Sequence, residues 1–375
     1  MPKANDLYIG LMSGTSLDAI DAALVSFGEN APQRFNLIST LEYPFPNELR
    51  SAIQSLIDKP HTTDLDTLGK LNRELGVLYA NAVAGLLKHA SANADDVIAI
   101  GCHGQTVRHM PQHSPPFTMQ LGDPATIANI TGIATAADFR SADIALGGQG
   151  APLAPGFHKW AFANENGAVV NVGGIANITV LAPGAPVTGF DTGPGNTLMD
   201  EWHFRNRGGR YDRDGEWAAS GRCADELLTR FLDDPYFSQQ PPKSTGREYF
   251  NTRWIERYLG ELGSELSAVD VQATLAELTA RSIAIAATKY SDGKSLWLCG
   301  GGALNAHLVS RIAAALPQHT IAATTELGLP PDWVEAVAFA WLARMRVKGR
   351  SAGVASVTGA SREAVLGGMH LPPEA

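Results

Sequence analysis

The chain has 375 residues, 45% hydrophobic and 18% charged, proportions of an ordinary globular protein with room for two domains. A net charge of −9 and a pI near 5.6 argue against a nucleic-acid-binding surface. No apolar run is long enough to predict a membrane span and no signal segment is visible, so a cytoplasmic protein is expected; three scattered cysteines, Cys102, Cys223 and Cys299, exclude a disulfide framework and most zinc sites.

Residues 7–12 and 19–26 are apolar, alternating runs around a polar turn of Ser13, Gly14, Thr15, Ser16, Leu17 and Asp18. This predicts a β-hairpin whose tip offers backbone N–H groups, hydroxyls and a carboxylate, an inventory suited to phosphate oxygens and a hydrated divalent cation. A strand is expected over 35–43, and a helix over 47–58 with Asn47 as its cap. A long helix over 65–89 is capped by Asp64 or Asp66. A short strand over 97–101 runs into Cys102-His103-Gly104-Gln105-Thr106. Residues 109–124, rich in His and Pro, read as irregular connection with a strand at 117–121. Residues 125–160, rich in small residues and glycine, read as a loop at a cleft between domains, with a boundary near 130.

The second half repeats the device. Residues 168–181 form a hairpin with Gly173 and Gly174 at its tip, which predicts a duplicated architecture gripping a ligand between halves. A strand over 187–190 ends in Asp191-Thr192-Gly193-Pro194-Gly195-Asn196, ahead of a helix over 197–203. Further helices are expected near 224–233 and over 273–289. The buried strand 295–299 enters Gly300, Gly301 and Gly302, then Asn305 and a helix to about 316. Such a strand–glycine–helix unit suits the ribose and phosphates of a nucleotide. Residues 332–347 form the last long helix. Strands alternating with helices predict an α/β protein.

No Walker A motif is present, since Thr288 stands where its first glycine belongs, and no GxGxxG, HExxH or GxSxG occurs. Asp191-Thr192-Gly193 lacks the second copy that an aspartic protease needs. Two readings of Asp191 stay open: a general base, or a cap of the following helix. Glu335 likewise reads as a site residue or as half of a capping box with Asp332. His103 is a hydrogen-bonding loop residue or a ligand contact. Lys243 and Arg247, beside Ser244 and Thr245, are surface charges or an anion site. Asp138 and Arg140 are a pair or part of the site.

These segments together resemble the anhydro-N-acetylmuramic acid kinase family, within the actin/hexokinase/heat-shock-ATPase superfamily. The matching motifs are GLMSGTSLDAID (10–21), GQTVR (104–108), ADFR (137–140), GGQGAP (147–152), NVGGIAN (171–177) and GFDTGPGN (189–196). YDRDGEWAASG (211–221), KSTGRE (243–248), CGGGALN (299–305) and EAVAFAWLA (335–343) complete the set. Ala19 departs from the family, which usually has Gly there.

The resemblance implies a two-domain, duplicated ribonuclease-H-like α/β fold with an interdomain cleft. The expected domains are 1–130 and 131–349, with the tail from about 350 to 375 packing back on the first. It also implies an ATP- and Mg²⁺-dependent kinase that opens 1,6-anhydro-N-acetylmuramic acid with water and phosphorylates O6, in cell-wall recycling, and that works as a homodimer. By motif, Asp191 is the base and Glu335 its helper. Residues 13–18 with Ala19, Ile20 and Asp21 hold phosphates, and Asp18 acts on magnesium through water. Gly173, Gly174, Gly300, Gly301, Gly302 and Asn305 complete the nucleotide side. His103, Gln105, Asp138, Arg140, Gly193, Asn196, Lys243, Ser244, Thr245 and Arg247 contact the sugar. Two alternatives remain: a superfamily sugar kinase acting on a free hydroxyl, and a non-catalytic nucleotide-switched binding protein.

Overall fold

A computed structural model describes residues 6–14, 17–28, 34–59, 64–262 and 265–373. The chain divides into two compact units, Met1–Phe157 with Trp333–Ala375, and His158–Asp332. No helix among the described residues is long and apolar enough to cross a membrane.

In the first unit, β1 (Leu7–Ser13), β2 (Ala19–Phe27) and β3 (Phe35–Pro44) form an antiparallel meander. Strand β4 (Val97–Cys102) runs parallel to β1 on its other side. Strands β5 (Gln105–Met110) and β6 (Phe117–Leu121) make a separate hairpin. Strand β7 (Thr135–Ala137) lies parallel to β4, and the terminal strand Gly368–His370 closes that edge.

Strand β1 is buried along its whole length because helices cover both sheet faces. Leu7, Ile9 and Leu11 share one face and enter a core with Leu71, Leu75 and Leu86 of the helix Leu65–Ala90. On the other face Gly10 pairs with Gly101 of β4, and the helix Val334–Val347 lies against both. A Cβ at Gly10 would fall 1.7 Å from the Ala336 carbonyl oxygen, and one at Gly101 2.0 Å from that of Phe339. Backbone rests on backbone there, which only glycine allows.

The second unit repeats the topology. Strands β8 (Gly167–Val172), β9 (Ile175–Leu181) and β10 (Thr188–Pro194) form the meander. Strand β11 (Ser295–Cys299) runs parallel to β8, and β12 (Thr320–Ala323) parallel to β11. The order β10-β9-β8-β11-β12 matches β3-β2-β1-β4-β7 in both neighbours and directions. Its core packs Val170, Ile178 and Leu298 against Leu275, Leu278 and Ile283 of the helix Ala268–Tyr290.

Several elements differ from the sequence reading. The division falls after Phe157 rather than near 130, because β7 extends the first sheet and Thr358 Oγ1 donates to the buried Asp143 carboxylate at 2.7 Å. The helix Val334–Val347 packs in the first unit, not the second, through the Gly10–Gly101 seat. Strand β5 begins inside the turn read at 102–106 and runs to Met110, into the irregular stretch expected over 109–124. The helices Pro124–Thr131 and Ala154–Ala161 interrupt the expected loop, each with proline in its first turn, where its missing N–H costs nothing. Pro46, not Asn47, is the N-cap residue of the helix Asn47–Asp58, whereas Asp64 caps the long helix by accepting from Thr67 N at 2.7 Å.

Candidate active site

The β1–β2 tip is built from both its backbone and its anchors. Leu17 takes a positive φ of 55°, its N–H donates to Gly14 O at 3.3 Å, and its side chain enters the core with Ile20. Ala19 and Asp21 continue into β2. Asp18 projects at the tip in an ion pair with Arg50 at 3.3 Å, a residue the motifs did not single out. Thr15 and Ser16 lie outside the described residues. Ser13, expected to grip phosphate, turns its hydroxyl inward to Tyr79 Oη at 2.6 Å and Gln105 Oε1 at 2.8 Å. Ser13 and Gln105 are both buried, so these side chains brace the tip from below. No three His, Cys, Asp or Glu side chains cluster as a metal site among the described residues. The partly exposed Asp18 carboxylate, beside Arg50, fits a hydrated ion held through water, not direct coordination.

A second cluster in this unit centres on Arg140. Its guanidinium meets His103 Nε2 at 2.8 Å and donates to Gly150 O at 2.7 Å. Burial and the Arg140 charge hold the His103 imidazole neutral, well below its usual range, so Nε2 accepts from Arg140. Glu335 stands in the first turn of its helix. Burial pushes its carboxyl up, with Arg140 pulling the other way. Trp333 occupies the N-cap position and Asp332 lies in the preceding short turn, so the expected capping box does not form. Asp138, at φ 54°, spends one oxygen on Ser141 N at 3.3 Å.

In the second unit the β8–β9 tip is held by the turn after β10. Gly195 N and Thr197 N donate to Gly174 O at 2.9 and 3.1 Å, and Asn196 N to Gly173 O at 2.8 Å. Asn196 Nδ2 also binds Val172 O at 3.1 Å, so this expected sugar ligand braces the hairpin. Gly300 and Gly302 pack closely on Asn171 and Val172, whereas Gly301 faces open space, its nearest neighbour 3.9 Å from a built Cβ. Asn305, expected on the nucleotide side, caps the helix Ala306–Ala315 through Oδ1, which accepts from Leu308 N at 2.9 Å.

Asp191 sits within β10 at a bulge, not at a strand end, because the pairing to β9 slips between Asp191 and Gly193. A bulge re-aims side chains at a sheet rim. Asn171, Asn177 and Asp191 occupy one row across β8, β9 and β10, a polar stripe that the two asparagines in NVGGIAN could have signalled. Asp191 Oδ2 accepts from Thr245 N at 2.9 Å, Asp191 N donates to Lys243 O at 3.2 Å, and Asp191 O accepts from Tyr236 Oη at 2.7 Å. The following helix starts at Thr197, with Asn196 in the N-cap position, so Asp191 is not its cap. Gly193 lies against the Phe237 ring, where a Cβ would be 2.7 Å away.

Lys243, expected on the surface or on an anion, is buried. Its Nζ donates to Tyr236 O at 3.1 Å and lies 4.5 Å from the Tyr236 ring centroid. Burial pushes its pKa down, Lys289 adds to this, and the Asp191 carboxylate opposes. Ser244 and Thr245 are partly buried, and Arg247 is exposed.

Two α/β units with one shared strand order, each opening on a hairpin with a glycine-bearing tip, define the duplicated ribonuclease-H-like architecture of the actin/hexokinase class. Residues 6–372 match the family model for anhydro-N-acetylmuramic acid kinase. The chain is 48% identical over 375 residues to the enzyme of that name from Coxiella burnetii (strain Dugway 5J108-111), covering 99% of this chain and 98% of the relative. It is 50% identical over 370 residues to that of Shewanella halifaxensis (98% and 99% covered) and 51% over 367 residues to that of Shewanella baltica (97% and 98%). The chain belongs to the anhydro-N-acetylmuramic acid kinase family, and it is a sugar kinase.

Proposed function

We propose that this kinase converts 1,6-anhydro-N-acetylmuramic acid, water and ATP to N-acetylmuramic acid 6-phosphate and ADP in the cytoplasm, as a homodimer. The observation carrying the reading is the Asp191 carboxylate, held in one orientation by Thr245 N on the bulged strand of a chain matched to this family end to end.

An anhydro sugar has no hydroxyl at O6, so a base cannot simply deprotonate the phosphoryl acceptor. Asp191 instead takes a proton from water as that water attacks C1. The C1–O6 bond breaks, O6 attacks the γ-phosphorus, ADP departs, and Asp191 returns its proton to solvent. Phosphoryl transfer needs positioning and charge neutralisation. The β1–β2 tip and the Gly173–Gly174 tip supply phosphate contacts, and Gly301 gives open backbone on the nucleotide side. A magnesium ion held through water by Asp18 would neutralise phosphate charge. Arg140 is the cation for the sugar's lactyl carboxylate, with His103 fixing its guanidinium. Glu335, near Arg140, orients water or sugar.

Turnover in ¹⁸O-labelled water tests this reading. One ADP per sugar 6-phosphate, with label at C1, is expected. Unlabelled product formed from a free-hydroxyl sugar would make the enzyme an ordinary kinase, with Asp191 deprotonating that hydroxyl.

A further inference from the structure

The segment after Asp191's strand carries a buried hub that the reaction as described does not use. Asp234 has no exposed side-chain surface, and its carboxylate accepts five hydrogen bonds. Tyr236 N (2.9 Å) and Tyr249 Oη (2.6 Å) reach Oδ1. Trp254 Nε1 (2.9 Å), Tyr258 Oη (2.8 Å) and an Arg257 guanidinium nitrogen (3.1 Å) reach Oδ2. Burial alone would raise this carboxyl, but the donors outweigh it and hold it below the usual carboxylate range. A carboxylate so fully engaged fixes the start of the short helix Pro235–Ser238.

From that anchor the chain returns to Asp191 three times. Tyr236 Oη donates to its carbonyl, Lys243 O accepts from its N–H, and Thr245 N holds its carboxylate. The Tyr236 ring also supports Lys243 Nζ, and Phe237 fills the space that Gly193 leaves. Burial and the Asp191 charge keep the Tyr236 phenol protonated, so it stays a donor. The ladder to β9 slips just after Asp191, and these contacts brace the backbone at that bulge.

We propose that Tyr236, anchored by Asp234, is a positioning residue that holds the bulged Asp191 backbone so that the carboxylate keeps a single reactive orientation. This rests on Asp191 being the base. It assigns to a phenol that touches no substrate the geometric precision on which a general base depends, since small displacements cost about a hundredfold in rate.

The test is Tyr236→Phe, which removes one oxygen and keeps the ring under Lys243. The expected result is a fall in kcat of about tenfold to a hundredfold, with KM for sugar and ATP and the melting temperature unchanged. In an Asp191→Asn background, followed by single-turnover assays, Tyr236→Phe is expected to have no further effect. Tyr249→Phe, which loosens Asp234 without touching Asp191, is expected to lower kcat by a smaller factor at unchanged KM. Wild-type kcat in folded Tyr236→Phe overturns the positioning role. An equal loss in the Asp191→Asn background overturns it too, because the effect then bypasses Asp191. Near-normal turnover by Asp191→Asn alone removes the base assignment itself, and the proposal with it. If Tyr236→Phe does not fold, an unchanged kcat in Tyr249→Phe overturns the proposal.

Discussion

Glu335 carries opposite signs for stability and for chemistry. Burial raises its pKa from the ordinary 4.5, so the folded state binds this proton more tightly than the unfolded chain. Its contribution to stability is complete below pH 4.5 and is lost as pH rises through the raised value. Above its ordinary range this buried carboxyl therefore costs stability. Glu335→Gln is expected to raise the melting temperature at pH 7.5, flatten its dependence on pH above 5, and lower turnover. Full turnover by the variant would remove Glu335 from the chemistry. The buried His103 and His158 have the reverse sign. Both are depressed by burial, His158 to about 3, so their contribution is present above pH 6.5 and is lost on acidification. Each should add a slope of about 1.4 kcal/mol per pH unit below that point, read from urea unfolding across a pH series.

At the scale of elements, the helix Val334–Val347 reaches its place because two glycines face it on paired strands. Gly10→Ala forces the methyl into the Ala336 carbonyl and is expected to cost about 3 kcal/mol. It should also lower turnover, because the same helix carries Glu335. Gly69 is the contrast. It lies exposed in the helix Leu65–Ala90 with nothing within 4 Å of a built Cβ. Gly69→Ala should stabilise by about 1 kcal/mol through helix propensity alone. Denaturant midpoints for the two variants check both signs. A Gly10→Ala protein as stable as the parent would mean that the helix shifts freely on the sheet.

At the scale of the molecule, the two units differ in chain continuity. His158–Asp332 is one stretch with its own meander, parallel strands and core, whereas the first unit is assembled from both ends of the chain. A fragment of residues 158–332 is expected to fold cooperatively. A fragment of 1–157 lacks the helix that covers Gly10 and Gly101 and is expected not to. Circular dichroism and urea titration of the two fragments decide this. A natively packed 1–157 would show that the helix is dispensable to its sheet.

The sequence alone determined the parts that depend on local order. Apolar alternation and glycine-bearing turns located both hairpins, and Ser295–Cys299 was read to the residue. The motif GFDTGPGN singled out Asp191. What only the tertiary structure decided are partners distant along the chain. Ser13 and Gln105 are 92 positions apart, and their hydrogen bond joins the hairpin tip to the start of β5. Lys243 is drawn under Tyr236, and Asn196 and Asn305 are taken up by a hairpin and a helix end. The Asp234 hub gathers donors from 236 to 258, invisible as a motif because tyrosine and tryptophan at those positions also read as plain core. Periodicity reports which face of an element is buried. Which buried polar group meets which is settled by packing, where every desolvated donor and acceptor must find a partner.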